Sequence, residues 1–474
     1  MAVVPLLRRL FQGHLSRAVD RWSSPRFQTA SSLLLGLAFT ALFLNAAATV
    51  EVGFTLQVSY GATAAAILVG GPIVLRGWRR LPPRLRLAAC SLIAAYVLVG
   101  LLGDPRPLAG ATRSSHRSLV YLADLTLGVA AVGLVVGLAD TPQRLRRLIV
   151  CFAAGALAGA IIGLYQWLSL HFGWPLSDLN TAPNSDGFST GHRFQGAGLL
   201  GWERARGTFK EPLFFATFLA TAIPVLAALA WRSASHRRGL SACGLCLTVL
   251  VLVLTISSLA WGVLLMCVLS AACLLAVAHR RVGAATAAGA ALTAAVVLGP
   301  VVFVNPGVVS LATGRSSQDV SLTAANRIGA WRNAMQAWER RPLIGDGLGQ
   351  SAVRLAYRPD GGAIAPGVTA PEVLGSAQGL WAASLVDGGL LELMAWTMFL
   401  GGAAMLLVRA VLRRPDPLVV GLTTAAAVAV LAAQFAGDRL EVRVWLVLGL
   451  AVAAASQVGG EQAAEGNGQA EARA

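Results

Sequence analysis

Apolar stretches long enough to cross a bilayer recur along this chain, near 31–50, 54–75, 85–103, 118–139, 147–170, 212–231, 240–257, 259–278, 283–304, 390–411, 417–436 and 442–457. A helix rises about 1.5 Å per residue, so about 20 such residues cross a hydrocarbon core of about 30 Å. No water is present there to satisfy backbone N–H and C=O groups, so each run must close its own hydrogen bonds as a helix. The expected fold is an all-α polytopic membrane protein with about 12 transmembrane helices, the 240–278 pair dividing at "TISSLAWG". Charged residues make up 13% of the chain, against about 25% in soluble domains, which agrees with that reading.

The net charge of +16 would suggest nucleic acid in a soluble protein. Here the basic residues sit in the short connections, and that pattern sets orientation in a membrane. With the N-terminus inside, Arg76/Arg79/Arg80/Arg84/Arg86, Arg144/Arg146/Arg147, Arg232/Arg237/Arg238, Arg280/Arg281 and Arg413/Arg414 all face the cytoplasm. No nucleic-acid partner is expected. Residues 1–29 carry five arginines around Leu6, Leu7, Leu10, Phe11, Leu15 and Val19, and read as a cytoplasmic amphipathic segment on the membrane surface. Residues 30–457 form the transmembrane domain, and 458–474 a disordered cytoplasmic tail. The six cysteines lie inside apolar runs, where they act as small hydrophobes, so neither disulfide nor metal site follows.

This topology leaves two long loops on the outer face, 171–211 and 305–389. They are unusually basic. The first holds His192, Arg193, Glu203, Arg204, Arg206, Lys210 and Glu211 just before a span; the second adds Arg315, Arg327, Arg332, Arg340, Arg341, Arg354 and Arg358. Two readings fit: an anionic ligand gripped by planar guanidinium forks, or arginines reaching for lipid headgroups. A transporter would instead place ionisable groups at mid-membrane. Asp124 fits that pattern, although it could equally pair with Tyr121 or a carbonyl, and Glu392 sits at a span end.

Within the second loop, "ANRIGAWRNAMQAWERRPLIGDGLG" (325–349) predicts a helix from Thr323 to about Arg341. Ile328, Trp331, Met335 and Trp338 form its apolar stripe. Pro342 ends it, and "GDGLG" turns the chain. The turn lacks the preceding strand that a nucleotide-binding loop needs.

These residues resemble the O-antigen ligase and polymerase superfamily. The resemblance rests on "RIGAWRNAMQAWERRPLIGDGLG", with Trp331 four residues after Arg327 and a Pro-Leu-Ile-Gly turn, and on "RARGTFKEPLFFA" (204–216), with an arginine shortly before Gly-x-Phe and a proline opening a span. It covers 200–400 well and the rest loosely. It implies a bacterial inner-membrane glycosyltransferase that moves or polymerises a glycan from a polyprenyl-diphosphate carrier onto a hydroxyl of a lipid or glycan acceptor. No metal or other cofactor is implied. Arg204, Arg206, Lys210, Arg327 and Arg332, with Trp331, would then bind the donor diphosphate, whose growing charge arginine can stabilise.

Two departures stand out. Ser258 occupies the place of an arginine at the break between the middle spans. Gln378 falls where the family carries a histidine, and glutamine cannot accept a proton at neutral pH. Glu372, Asp387, His192 or Glu203 could take that role, Gln378 could orient the acceptor alone, or activity could be lost. Asp387, an acid before Gly-Gly, also suits ordinary turn chemistry. The competing expectations are an inactive assembly partner and a membrane transporter.

Overall fold

The computed structural model describes residues 25–44, 49–51, 55–103, 114–175, 204–209, 211–233, 235–281, 283–284, 286, 289, 331–332, 334–351, 379–436 and 440–471. The helices, in chain order, are α1 (Pro25–Thr40), α2 (Val58–Val69), α3 (Gly71–Arg80), α4 (Pro83–Leu102), α5 (Ser114–Leu138), α6 (Pro142–Phe172), α7 (Pro212–Arg232), α8 (Ser235–Leu254), α9 (Ser258–Ala278), α10 (Leu380–Arg413), α11 (Pro417–Ala436) and α12 (Val442–Glu471). A short antiparallel hairpin, β1 (Thr49–Glu51) and β2 (Thr55–Gln57), joins α1 to α2.

The protein is a multi-pass membrane protein in architecture. Seven of these helices are long and apolar enough to cross a membrane, and a bent pair could make an eighth span. Shorter apolar helices cover Gln28–Leu44, Arg238–Leu254 and Val442–Val458. The run near 283–304 lies almost entirely outside the described residues.

The expected layout is altered at two places and kept at a third. The run 54–75 does not continue straight: α2 and α3 meet at 85° across Gly70, with Gly71 and Pro72 opening the next helix. Proline cannot donate a helical hydrogen bond, and glycine imposes no side-chain restraint on the bend. The break at "TISSLAWG" falls between Leu254 and Ser258 as the sequence suggests. The last helix runs on to Glu471, through most of the segment expected to be disordered.

The core is helix against helix. α7 packs along α8 and α11, α5 against α3 and α12, and α10 against α4. Trp396, Trp445 and Phe399 stack at its centre, with ring centroids 5.7–6.4 Å apart. Such offset and edge contacts add to the burial of large aromatic area.

Hydrogen bonds tie the helix ends into two groups. At one end Arg232 approaches Asp416 at 3.4 Å, and Gln457 donates to the Ala139 carbonyl at 2.8 Å. The basic connections expected in the cytoplasm gather there, and we call it the arginine-rich end. At the other, the loop end, Arg443 donates to the Phe214 carbonyl at 2.8 Å and Trp381 N–H to Gln434 at 3.3 Å.

Candidate functional site

The loop end is organised around a break in α10. At Gly389 the backbone takes φ 61° and ψ −149°, so the helix stops and restarts inside one long element. A break of this kind frees carbonyls before it and N–H groups after it, and such buried groups must find partners. The "PLIGDGLG" turn supplies them. Asp346 N–H and Gly347 N–H donate to the carbonyls of Val386 and Asp387, each at 2.8 Å. In return Leu390 N–H and Leu391 N–H donate to the carbonyls of Pro342 (2.8 Å) and Leu343 (3.1 Å). Gly345, Gly347 and Gly349 all have positive φ (61°, 112° and 74°), the conformations this turn needs.

Asp387 completes the dock. Its carboxylate accepts Gly349 N–H at 3.0 Å and Ser351 N–H at 2.5 Å, with 2% of the residue exposed. A carboxylate accepting two backbone N–H groups holds a turn firmly, because each buried donor would otherwise stay unsatisfied. Leu348 is buried at the end of α4, and its carbonyl accepts a hydrogen bond from Ser118 of α5. The preceding helical residues, 331–332 and 334–340, lie against the start of α10, where Trp331 and Ala334 meet Ala382, Ala383 and Val386.

That contact corrects the expected apolar stripe. Met335 is 38% exposed, whereas Ala334 is wholly buried. The face is set by close approach of small residues on both partners, which the larger side chain could not allow. Trp338 turns its indole N–H to the Pro342 carbonyl at 3.0 Å, capping the turn.

Beneath the break lies a buried polar cluster. Glu392, one turn past Gly389, is 3% exposed and lies beside Tyr96, Ser384 and Trp396; Trp396 donates to the Tyr96 hydroxyl at 3.2 Å. Asp346 is equally enclosed, with Arg341 at 4.0 Å. Asp346 is not marked as a site residue by the sequence, whereas Glu392 is noted there only as an acid at a span end. An acid just inside an apolar run is the signal that marked Glu392, because intramembrane charge is costly to keep.

The second wall is the 204–209 loop. Arg204 donates from Nε to the Thr255 carbonyl at 2.9 Å, and Ala205 N–H to the Leu254 carbonyl at 3.0 Å. The guanidinium therefore reaches the α8–α9 break, which Ser258 follows directly. Arg206 is completely buried; its N–H donates to the buried Gln166 of α6, and Thr208 donates to the Phe43 carbonyl. Phe209 stacks on Phe215 and Phe218, with centroids 5.4 Å away in each case.

Arg443, at the head of α12, closes this wall. It pairs with Glu441 at 2.8 Å and lies 5.8 Å from the Phe209 and Phe214 ring centroids. A cavity of about 20 Å³, roughly one water in size, lies between Phe218, Thr221, Glu441 and Arg443. Arg443 and Glu441 escaped the sequence analysis, although "DRLEVR" sets alternating charge directly before an apolar run. Arg443→Gln should cost about 1–3 kcal/mol, since it removes a hydrogen-bonded charge pair from a half-buried site. Thermal unfolding in detergent checks this, and an unchanged midpoint would mean that the pair holds nothing.

Of the residues expected to form a site, Arg204 and Arg206 share one loop, Trp331 packs on the start of α10, and Asp387 on the same helix binds Gly349 and Ser351 instead. Arg332 is exposed on the 331–340 helix. Lys210, Arg327, Glu372 and Gln378 lie outside the described residues, as do His192 and Glu203. Asp124 is half-buried on α5 and engaged in a contact of its own. No group of three metal-ligating side chains occurs among the described residues. No family model matches the chain, and no curated protein matches it either.

Proposed function

We propose that this protein transfers or polymerises a glycan from a polyprenyl-diphosphate carrier onto a hydroxyl acceptor, lipid or glycan, at the outer face of a bacterial inner membrane. One observation carries the reading. The described parts of the two motifs behind the resemblance (204–216 and 327–349), namely 204–209 with 211–216 and 331–332 with 334–349, lie at the loop end, and each is held by hydrogen bonds to a helix break. Arginine-rich segments held rigidly at a membrane surface suit an anionic substrate, because preorganised cations stabilise charge as it develops.

In this reaction an acceptor hydroxyl oxygen attacks the anomeric carbon. The bond from that carbon to the diphosphate oxygen breaks, polyprenyl diphosphate leaves with the bonding pair, and the hydroxyl proton passes to a base. Arg204, Arg327, Arg332 and Lys210 are the proposed cations for the leaving group, with Trp331 beside them. Arg206 is enclosed, so its role is to place charge beneath the loop. Asp387 already accepts two backbone N–H groups, and we assign it to positioning. Gln378 would orient the acceptor and Glu372 would take the proton.

The test uses purified protein in lipid nanodiscs with polyprenyl-diphosphate-linked glycan and host acceptors. Wild type should release polyprenyl diphosphate, and Arg327→Ala should lower that release at least about 100-fold, as removal of one transition-state donor does in other enzymes. The glycosylated product would separate ligase from polymerase. No release from a competent donor would sink the transferase reading. Gln378 in the place of a base favours the second reading, an inactive assembly partner, in which Arg327→Ala keeps its complex. A transporter would depend on Asp124 instead.

A further inference from the structure

The arginine-rich end carries a groove of about 940 Å³ between the α3–α4 corner, the last turns of α10 and residues Ala455–Val458 of α12. Six arginines line it: Arg79, Arg80, Arg84, Arg86, Arg409 and Arg413. No acidic residue lines it, and among the described residues none of the six forms an ion pair. Arg86 is half-buried, and its Nε is enclosed with no hydrogen-bond partner among the described residues. Arginines present only to orient the chain would reach outward into headgroups and water. Arg86 instead turns a buried donor along the groove wall.

Apart from Thr397 and Ser456 the rest of the groove is apolar, and it runs up the bundle. Thr397, Met398, Gly401, Gly402, Met405 and Leu406 continue the Arg409 and Arg413 face of α10 toward mid-membrane. From Arg413 to Thr397 a helix rises about 24 Å, at about 1.5 Å per residue. That exceeds one leaflet of a hydrocarbon core about 30 Å thick. Gly401 leaves the trough open, because a Cβ built there meets nothing within 4 Å. Met398 and Met405, each about half exposed, flank it with adaptable thioether side chains.

We propose that this groove is a binding site for an anionic phospholipid of the adjoining leaflet, its phosphate held by the six arginines and an acyl chain laid along the α10 trough. A cationic mouth continuous with an apolar trench matches a molecule with an anionic head and a hydrocarbon tail, and basic pockets between transmembrane helices bind such lipids. A free phosphate would use the mouth alone and leave the trench without purpose. The site lies at the opposite end from the candidate transfer site and does not depend on that reading.

Native mass spectrometry of the full-length protein in detergent, titrated with phosphatidylglycerol or phosphatidylcholine, tests the assignment. Wild type should retain phosphatidylglycerol at least 10-fold better than phosphatidylcholine. Arg409→Gln with Arg413→Gln, both exposed positions, should weaken retention about 30-fold, or about 2 kcal/mol at about 1.4 kcal/mol per decade and about 1 kcal/mol per arginine. Gly401→Trp fills the trough from open space and should remove the lipid while the protein keeps its elution volume. Excess inorganic phosphate should not displace it. Equal retention of the two lipids, unchanged retention in both variants, or displacement by phosphate would each overturn the proposal.

Discussion

Gly389→Ala should undock residues 342–351 from α10 and cost at least about 3 kcal/mol. Two effects act together. The backbone at Gly389, φ 61° and ψ −149°, lies in a region that side-chain-bearing residues avoid. An added Cβ would also lie 2.6 Å from the Pro342 carbonyl oxygen, 2.7 Å from the Leu343 carbonyl carbon and 2.8 Å from Gly345 N. The clash falls on backbone, which cannot rotate away as a flexible side chain could. Relief requires either that the helix straighten or that the turn leave. A straight helix would take back the carbonyls of Val386 and Asp387, removing the acceptors for Asp346 and Gly347. Limited proteolysis should therefore reveal new cleavage after Arg340, and the unfolding midpoint in detergent should fall. An alanine variant with unchanged midpoint and proteolysis would show that the break does not hold the turn.

Asp387→Ala should have a comparable effect by a different route. It leaves the break intact but strips the acceptors from Gly349 N–H and Ser351 N–H, both buried. An unsatisfied buried donor costs about 1–3 kcal/mol, so the pair amounts to about 2–6 kcal/mol. Asp387→Asn is the sharper variant. Its amide keeps one acceptor and turns an N–H toward the remaining donor, so the 349–351 segment should loosen while Pro342 and Leu343 stay paired to the restarted helix. Hydrogen exchange resolves the two segments. Fast exchange confined to 349–351 is the expected result. Should exchange remain native while glycan transfer disappears, Asp387 would be a proton acceptor and the positioning role assigned to it would be wrong.

These two residues also show how far the sequence could be followed. Hydropathy marked nearly every helix, because a run of apolar side chains needs no partner to declare itself: transfer into lipid is a local and nearly additive quantity. Charge in the connections sorted the helix ends, since each short loop carries its own bias. Punctuation was legible where its chemistry is local, as at the "TISSLAWG" break and in the "GDGLG" turn, where all three glycines have positive φ. Other positions are not legible from the sequence, because their outcome depends on a partner far along the chain. Val69-Gly70-Gly71-Pro72 permits a bend within an apolar run, and the packing of α3 against α5 accompanies it. Met335 has the right spacing for a buried face, yet Ala334 is buried because Ala382 and Ala383 come close.

The candidate site divides along the same line. That arginines crowd 204–211 and 327–341 is plain from the residues alone. That Arg204 reaches the α8–α9 break, that Arg206 is sealed over Gln166, and that Arg443 closes the wall against Glu441 are facts of assembly. By sequence "GDGLGQ" is a turn without a preceding strand, and Asp387 is an acid before Gly-Gly. Together they make one interlock, joining residues 36 and 38 positions apart. The sequence alone determined that this chain enters a membrane many times and concentrates cations in two loops. Only the tertiary structure decided which groups those loops satisfy, because a broken helix offers its carbonyls and N–H groups to whichever backbone can reach them, and reach is a property of the packed bundle.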